Sequence, residues 1–108
     1  MRDNVKGGAL TEVTFFILLA LYEKMHGYGI MQFVEEKTGG RLILGAGSLY
    51  GALNNLQEKG WISPVDDGKG RKKEYIITEL GREVAKAELL RMKELVITAE
   101  QIIGGDLE

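Results

Sequence analysis

The chain has 108 residues, 44% of them apolar and 28% charged, with a formal net charge of −2, which is the size of one domain with a small core. It has no cysteine and a single histidine, so disulfide, thiolate-metal and cysteine-nucleophile chemistry fall away, and His26 cannot build a zinc or di-iron site alone. Its longest apolar run, Phe15 to Tyr22, is eight residues, well short of the roughly 20 that cross a bilayer.

Thr11 to Lys24 is the first predicted helix. Phe15, Leu18, Leu19 and Tyr22 recur at helical spacing, and Phe16, Ile17 and Leu21 make the opposite side apolar too. A helix apolar nearly all round is buried on more than one side, and in so small a chain part of that burial calls for a second copy. His26-Gly27-Tyr28-Gly29 reads as a turn, with His26 capping the second helix or bonding backbone. The second helix carries Ile30, Phe33, Val34 and Lys37 on one face and ends at Gly39-Gly40.

After a short extended connection, Arg41 to Leu44, the stretch Gly45-Ala46-Gly47-Ser48 opens a third helix that runs to Lys59 and stops at Gly60. Leu49, Leu53 and Leu56 form its core stripe, while Ser48, Tyr50, Gly51, Asn54, Asn55 and Glu58 fall largely elsewhere. Two short strands follow, Trp61 to Val65 and Glu74 to Ile77, joined by a polar, glycine-rich hairpin loop. Pro64 assigns the first of them to an edge, because proline cannot donate to a ladder.

Thr78 caps the last helix, Glu79 to Ile103, with Glu79 near the positive end of its dipole. Along it Ala85, Leu89, Met92, Val96, Ala99 and Ile103 alternate in steps of four and three, the spacing of a coiled-coil seam, and Leu95 and Ile102 widen it. Such a helix is about 37 Å long, as long as a compact domain of this size is wide, about 34 Å. It has too little of its own chain to bury that stripe against. A homodimer is the simplest solution, with Phe15, Leu19, Tyr22, Leu89, Met92, Val96, Ala99 and Ile103 at the interface.

The mild overall acidity conceals a distribution. Residues 1–40 carry a net −1, residues 41–75 a net +2 and residues 76–108 a net −3. Lys69, Arg71, Lys72 and Lys73 fall within five positions of the hairpin loop, one strongly positive spot on an acidic chain. On the third helix, short polar groups stand where an ordinary solvated face carries a Glu/Lys mixture. Asparagine can pair bidentately with adenine in the major groove, and a Ser or Tyr hydroxyl can bond phosphate or a base edge. Gly51 costs about 1 kcal/mol relative to alanine inside a helix, and close approach of a DNA backbone is one reason for a glycine there. From composition alone an ordinary polar surface, with Tyr50 packed on the core edge, accounts for these residues equally well.

The order of elements is that of a winged helix-turn-helix domain. At the residue level the chain resembles the PadR family of bacterial transcriptional regulators. The segments that carry the likeness are Leu18-Leu19-Ala20-Leu21, His26-Gly27-Tyr28-Gly29-Ile30, Ser48-Leu49-Tyr50-Gly51-Ala52-Leu53 with Leu56, Gly60-Trp61-Ile62, Arg71-Lys72-Lys73-Glu74-Tyr75 and Thr78-Glu79-Leu80-Gly81-Arg82. They cover roughly residues 9–90 in one unbroken order. The single last helix is similar to the shorter of the family's two size classes. Ser48 stands where the family usually has threonine and Gly51 where it often has proline. No tryptophan lies on the last helix, where drug-binding members carry one.

The fold expected is therefore mainly α with a small two-stranded β-hairpin: a winged helix-turn-helix over residues 1–78 and a C-terminal dimerisation helix over 79–108. The resemblance implies a sequence-specific DNA-binding regulator, a homodimeric repressor of a palindromic operator relieved by a small-molecule effector. Tyr28, Ser48, Tyr50, Asn54, Asn55, Lys69, Arg71, Lys72 and Lys73 are the expected DNA contacts. Phe15, Phe16 and Met92 are the candidate pocket for a small apolar or aromatic effector, although such stripes are more often dry core. A winged helix used only for protein–protein contact is the alternative. An enzyme is disfavoured: His26 has no nucleophile near it in the pattern, and no glycine-rich phosphate loop is present. Neither a cofactor nor a metal is expected. No basic leader with a cleavage site opens the sequence, so a soluble cytoplasmic domain, without a membrane partner, is the expectation.

Overall fold

The computed structural model describes residues 8–66 and 73–107. Among the described residues there are four helices, α1 (Glu12–Ala20), α2 (Gly27–Lys37), α3 (Ala46–Glu58) and α4 (Glu79–Ile103). Three short strands accompany them, β1 (Met25–His26), β2 (Ile62–Val65) and β3 (Glu74–Ile77), and a 3-10 turn, Gly104–Leu107, closes the chain. The strands form one antiparallel sheet in the order β1-β3-β2, with Met25 opposite Tyr75 and Pro64 also opposite Tyr75 on the other side. The hairpin strands and the edge position of Pro64 are as expected. The third strand is an addition to the expected two.

Two departures from the sequence reading have one cause. The first helix stops at Ala20 instead of continuing to Lys24, and Met25–His26 pairs with β3 where a turn was expected. Nothing in residues 20–24 breaks a helix. The terminator is tertiary: the N–H of Ile77, at the end of β3, donates to the Leu21 carbonyl at 2.8 Å. That carbonyl is then committed to the sheet, and the chain leaves the helix to run beside β3. His26 ends β1 and caps α2 at once, its Nδ1 accepting the Gly29 N–H at 3.3 Å. Gly27 is already the first helical residue, so the expected turn is one strand end and one helix start.

The core lies between α1, α2, α3 and the inner face of the sheet. Ile17, Leu18 and Leu21 from the first helix and its end, Ile30 and Val34 from α2, and Leu49, Leu53 and Leu56 from α3 are sealed from solvent. Ile62, Tyr75 and Ile77 close it from the strands. Gly39 and Gly40 end α2 with φ of 61° and 85°, the left-handed conformation that side chains resist. Thr38 then ties the connection to α3, its hydroxyl donating to Val34 O at 2.8 Å and accepting from the Leu42 N–H at 3.1 Å. Arg41 grips Glu12 across that connection with both guanidinium nitrogens, an exposed ion pair that holds the Glu12 carboxyl below its ordinary range.

The last helix does not end where the globule ends. Only Gly81, Ala85 and Glu88 of α4 are buried, all in its first half, and the molecule measures 55 × 29 × 23 Å. Its radius of gyration, 15.6 Å, exceeds the about 13 Å of a compact chain this long. Arg82 stacks over the Tyr22 ring at 4.6 Å and fastens the root of α4 to the end of α1. Among the described residues no helix is long and apolar enough to cross a membrane.

Candidate nucleic-acid interface

Helix α3 packs Leu49, Leu53 and Leu56 inward, so at 3.6 residues per turn its outermost line runs through Gly47, Gly51 and Asn54 to Glu58. Ser48 and Asn55 flank that line on the side of α1, and Tyr50 flanks it on the side of the sheet. All of these are exposed. The first half of that line is thus bare backbone at Gly47 and Gly51, and its second half carries Asn54 and Glu58, with polar side chains on both shoulders. A methyl group at Gly47 or Gly51 would meet no described atom within 4 Å. Fold packing therefore does not require glycine at Gly51. Gly45 caps the helix without a side-chain bond, which leaves the first N–H groups of α3 for solvent or a ligand. Gly51→Ala should accordingly raise stability by about 1 kcal/mol. If the face approaches DNA closely, the same change weakens duplex binding; denaturant unfolding and a binding titration on one sample measure both.

The other expected contacts are distributed around α3. Tyr28, in the first turn of α2, is 60% exposed, its ring within 18° of parallel to His26 at a centroid distance of 6.5 Å. Lys73 is exposed immediately before β3. Lys69, Arg71 and Lys72 lie outside the described residues. Strands β2 and β3 nevertheless define the base of that loop, and Val65 faces Glu74 at its mouth. Glu74 also meets Lys24 at 3.9 Å, so the carboxylate that opens β3 is partly neutralised by its own fold. Tyr50 is the exception: its phenol end rests on Gly27. Burial first, and the Tyr50 phenol second, raise the Tyr75 hydroxyl above its ordinary range.

The residues expected at a subunit interface form a second surface. Leu89, Met92, Val96 and Ile103 are exposed on α4 and Leu19 on α1, with Ala99, Phe15 and Tyr22 half-buried. Phe15, Phe16 and Met92, the candidate effector residues, do line one groove between α1 and α4, of about 390 Å³. At its side Glu88 is buried and paired with Arg91, whose guanidinium donates to both carboxylate oxygens at 2.9 and 2.6 Å. Leu90 and Ile97, exposed on the back of α4, are apolar residues that the sequence reading did not single out. Their spacing of seven was visible in the sequence, outside the seam.

Three helices, a strand-paired hairpin behind the third of them and a long helix rising from the globule define a winged helix-turn-helix protein. The chain belongs to the Transcriptional regulator PadR-like family, which matches residues 17–87. A transcriptional regulator from Clostridium thermocellum has the same fold, with a TM-score of 0.74 at 22% identity over 95% of this chain and 97% of that one. A PadR-like transcription factor from Bacteroides fragilis is 28% identical, with a TM-score of 0.68 over 83% of this chain and 87% of its own. An uncharacterized 37.1 kDa protein in transposon TN4556 of Streptomyces fradiae is 38% identical over 85 residues, 78% of this chain. The chain spans 24% of that protein's length.

Proposed function

We propose that this protein is a homodimeric, sequence-specific DNA-binding regulator of transcription, a repressor acting in the cytoplasm on a palindromic operator. What carries the reading is the exposed face of α3, with Gly47, Gly51 and Asn54 along its centre and Ser48 and Asn55 on one shoulder, beside a hairpin that leads into Lys73. Residues 1–78 would serve as the reading head and residues 79–108 as the dimerisation helix. Each α3 enters a major groove, where Asn54 and Asn55 read base edges and Ser48 bonds phosphate or base. Tyr28 and the cluster Lys69, Arg71, Lys72 and Lys73 take phosphates. The groove of Phe15, Phe16 and Met92, next to the α4 stripe, is the place for a small apolar or aromatic effector to alter the spacing of the two heads.

A binding-site selection followed by titration at several salt concentrations tests this. With about four phosphates neutralised per subunit, the slope of log K against log[salt] is expected near about −7. Lys72→Ala should weaken binding evenly across sequences and reduce the slope by about 1, whereas Asn54→Ala should change base preference at one position. A slope near zero, unaffected by neutralising Lys69 to Lys73, would leave a protein–protein module in its place.

A further inference from the structure

Tyr50 stands on the outward side of α3, 45% exposed, but its phenol end rests against α2. Its phenol carbon and hydroxyl lie against Gly27, the buried first residue of α2: a Cβ there would sit 2.9 Å from Tyr50 Cζ, closer still to the hydroxyl, and 3.2 Å from Leu49 Cδ2. Glycine is a poor helix former, and at Gly27 the contact explains it, since any side chain would occupy the seat of the ring. Gly27 directly follows β1, whose Met25 and His26 pair with Tyr75 and Glu74 of β3, so the seat of the ring lies at the edge of the sheet. Tyr50 therefore touches the start of α2, one residue past the strand that pairs with the one leading out of the hairpin loop. A rigid ring with few rotatable bonds in that place fixes how two elements sit relative to a third.

We propose that Tyr50 is a positioning residue: its ring, seated on Gly27 where β1 passes into α2, braces α3 against that corner and, through the β1–β3 pairing, against the base of the hairpin, so that base-reading side chains and hairpin cations meet DNA together. The hydroxyl takes no part in binding. This rests on the DNA-binding reading above and adds to it an assignment that composition alone had left open between a DNA contact and core-edge packing.

The test is a cycle of four variants on the intact protein. Tyr50→Phe keeps the ring, and duplex affinity and salt slope should stay within about twofold of the parent; a loss of tenfold or more would show a hydroxyl–DNA bond and overturn the proposal. Gly27→Ala unseats the ring and should weaken binding about tenfold, with a shallower salt slope and an unchanged order of base preferences. In a Tyr50→Ala background the same Gly27→Ala change should have no further effect, because the seat is already empty. Equal losses in both backgrounds would overturn the brace. Thermal unfolding of the four variants reads the same coupling without DNA. If the parent shows no salt-dependent duplex binding, the DNA-binding reading fails, while a Gly27→Ala loss of stability that vanishes without the Tyr50 ring still establishes the seat.

Discussion

Replacing Gly81 with alanine should lower the unfolding free energy by about 3–5 kcal/mol. Gly81 is buried in the first turn of α4. A Cβ there would lie 2.7 Å from Ile77 Cγ1 and 3.0 Å from the Trp61 carbonyl carbon, and closer still to the carbonyl oxygen. A side-chain end can rotate away, but that carbonyl cannot. It accepts the Thr78 N–H at 3.0 Å, and Thr78 in turn donates its hydroxyl to Gly60 O at 2.6 Å while accepting the Gly81 N–H at 3.0 Å. Three hydrogen bonds thus close on one another where β2 begins and α4 starts, and the methyl group would force them apart. Overpacking costs about 1–3 kcal/mol, and the cap and one further buried bond about 1 kcal/mol each. Against a total of about 5–15 kcal/mol for a domain, that is a large share. Urea unfolding measures it, with Thr78→Ala, expected at about 1 kcal/mol, as the reference. A Gly81→Ala loss below about 1 kcal/mol would mean that α4 can slide away from Trp61 without consequence.

That knot also marks how far the sequence could be read. Thr78 as a cap, Glu79–Ile103 as a helix, Gly45 and Gly60 at the ends of α3 and Pro64 on an edge strand are local signals, each decided within a few residues. The end of α1 is not local, because the bond that stops it comes from Ile77 near the far end of the fold. Nor is β1, since two residues have no period to detect and gain a strand's conformation only from the register Met25–Tyr75 and His26–Glu74. The face of α3 was legible as a set of residue types. Which of them are held and which are open was not: Asn54 and Asn55 stand free in solvent, while Tyr50 is engaged by a glycine in another helix. The α4 stripe was legible because its spacing repeats. Its exposure follows from the chain's size, since the globule runs out near Glu88 while the apolar sequence continues to Ile103.

A charge on that stripe should abolish assembly while sparing the protomer. Val96 lies in the middle of the exposed part of the seam, 52% accessible, beyond the last buried residue of α4. In a protomer alone Val96→Glu touches little, so helicity and the unfolding midpoint of the separated chain should be nearly unchanged, a surface change being worth about 0.5 kcal/mol at most. In a two-fold pair, each copy places a carboxylate against its symmetry mate in an apolar interface. An unpaired buried charge costs about 3–5 kcal/mol, so a dimer carrying two should dissociate more readily by about three orders of magnitude or more. Sedimentation or light scattering at micromolar concentration should then report one protomer's mass, 12.0 kDa, where the parent, if the proposed dimer is correct, should report twice that. Binding to a two-half-site operator should fall by about 10²–10⁴-fold, because the second head loses its effective concentration, while binding to an isolated half-site should hardly change. Gln101→Glu, exposed on the side of α4 opposite the seam, is the control and should leave assembly intact. If Val96→Glu stays dimeric, the subunits meet elsewhere, and the back-face pair Leu90 and Ile97, also exposed, becomes the next surface to charge.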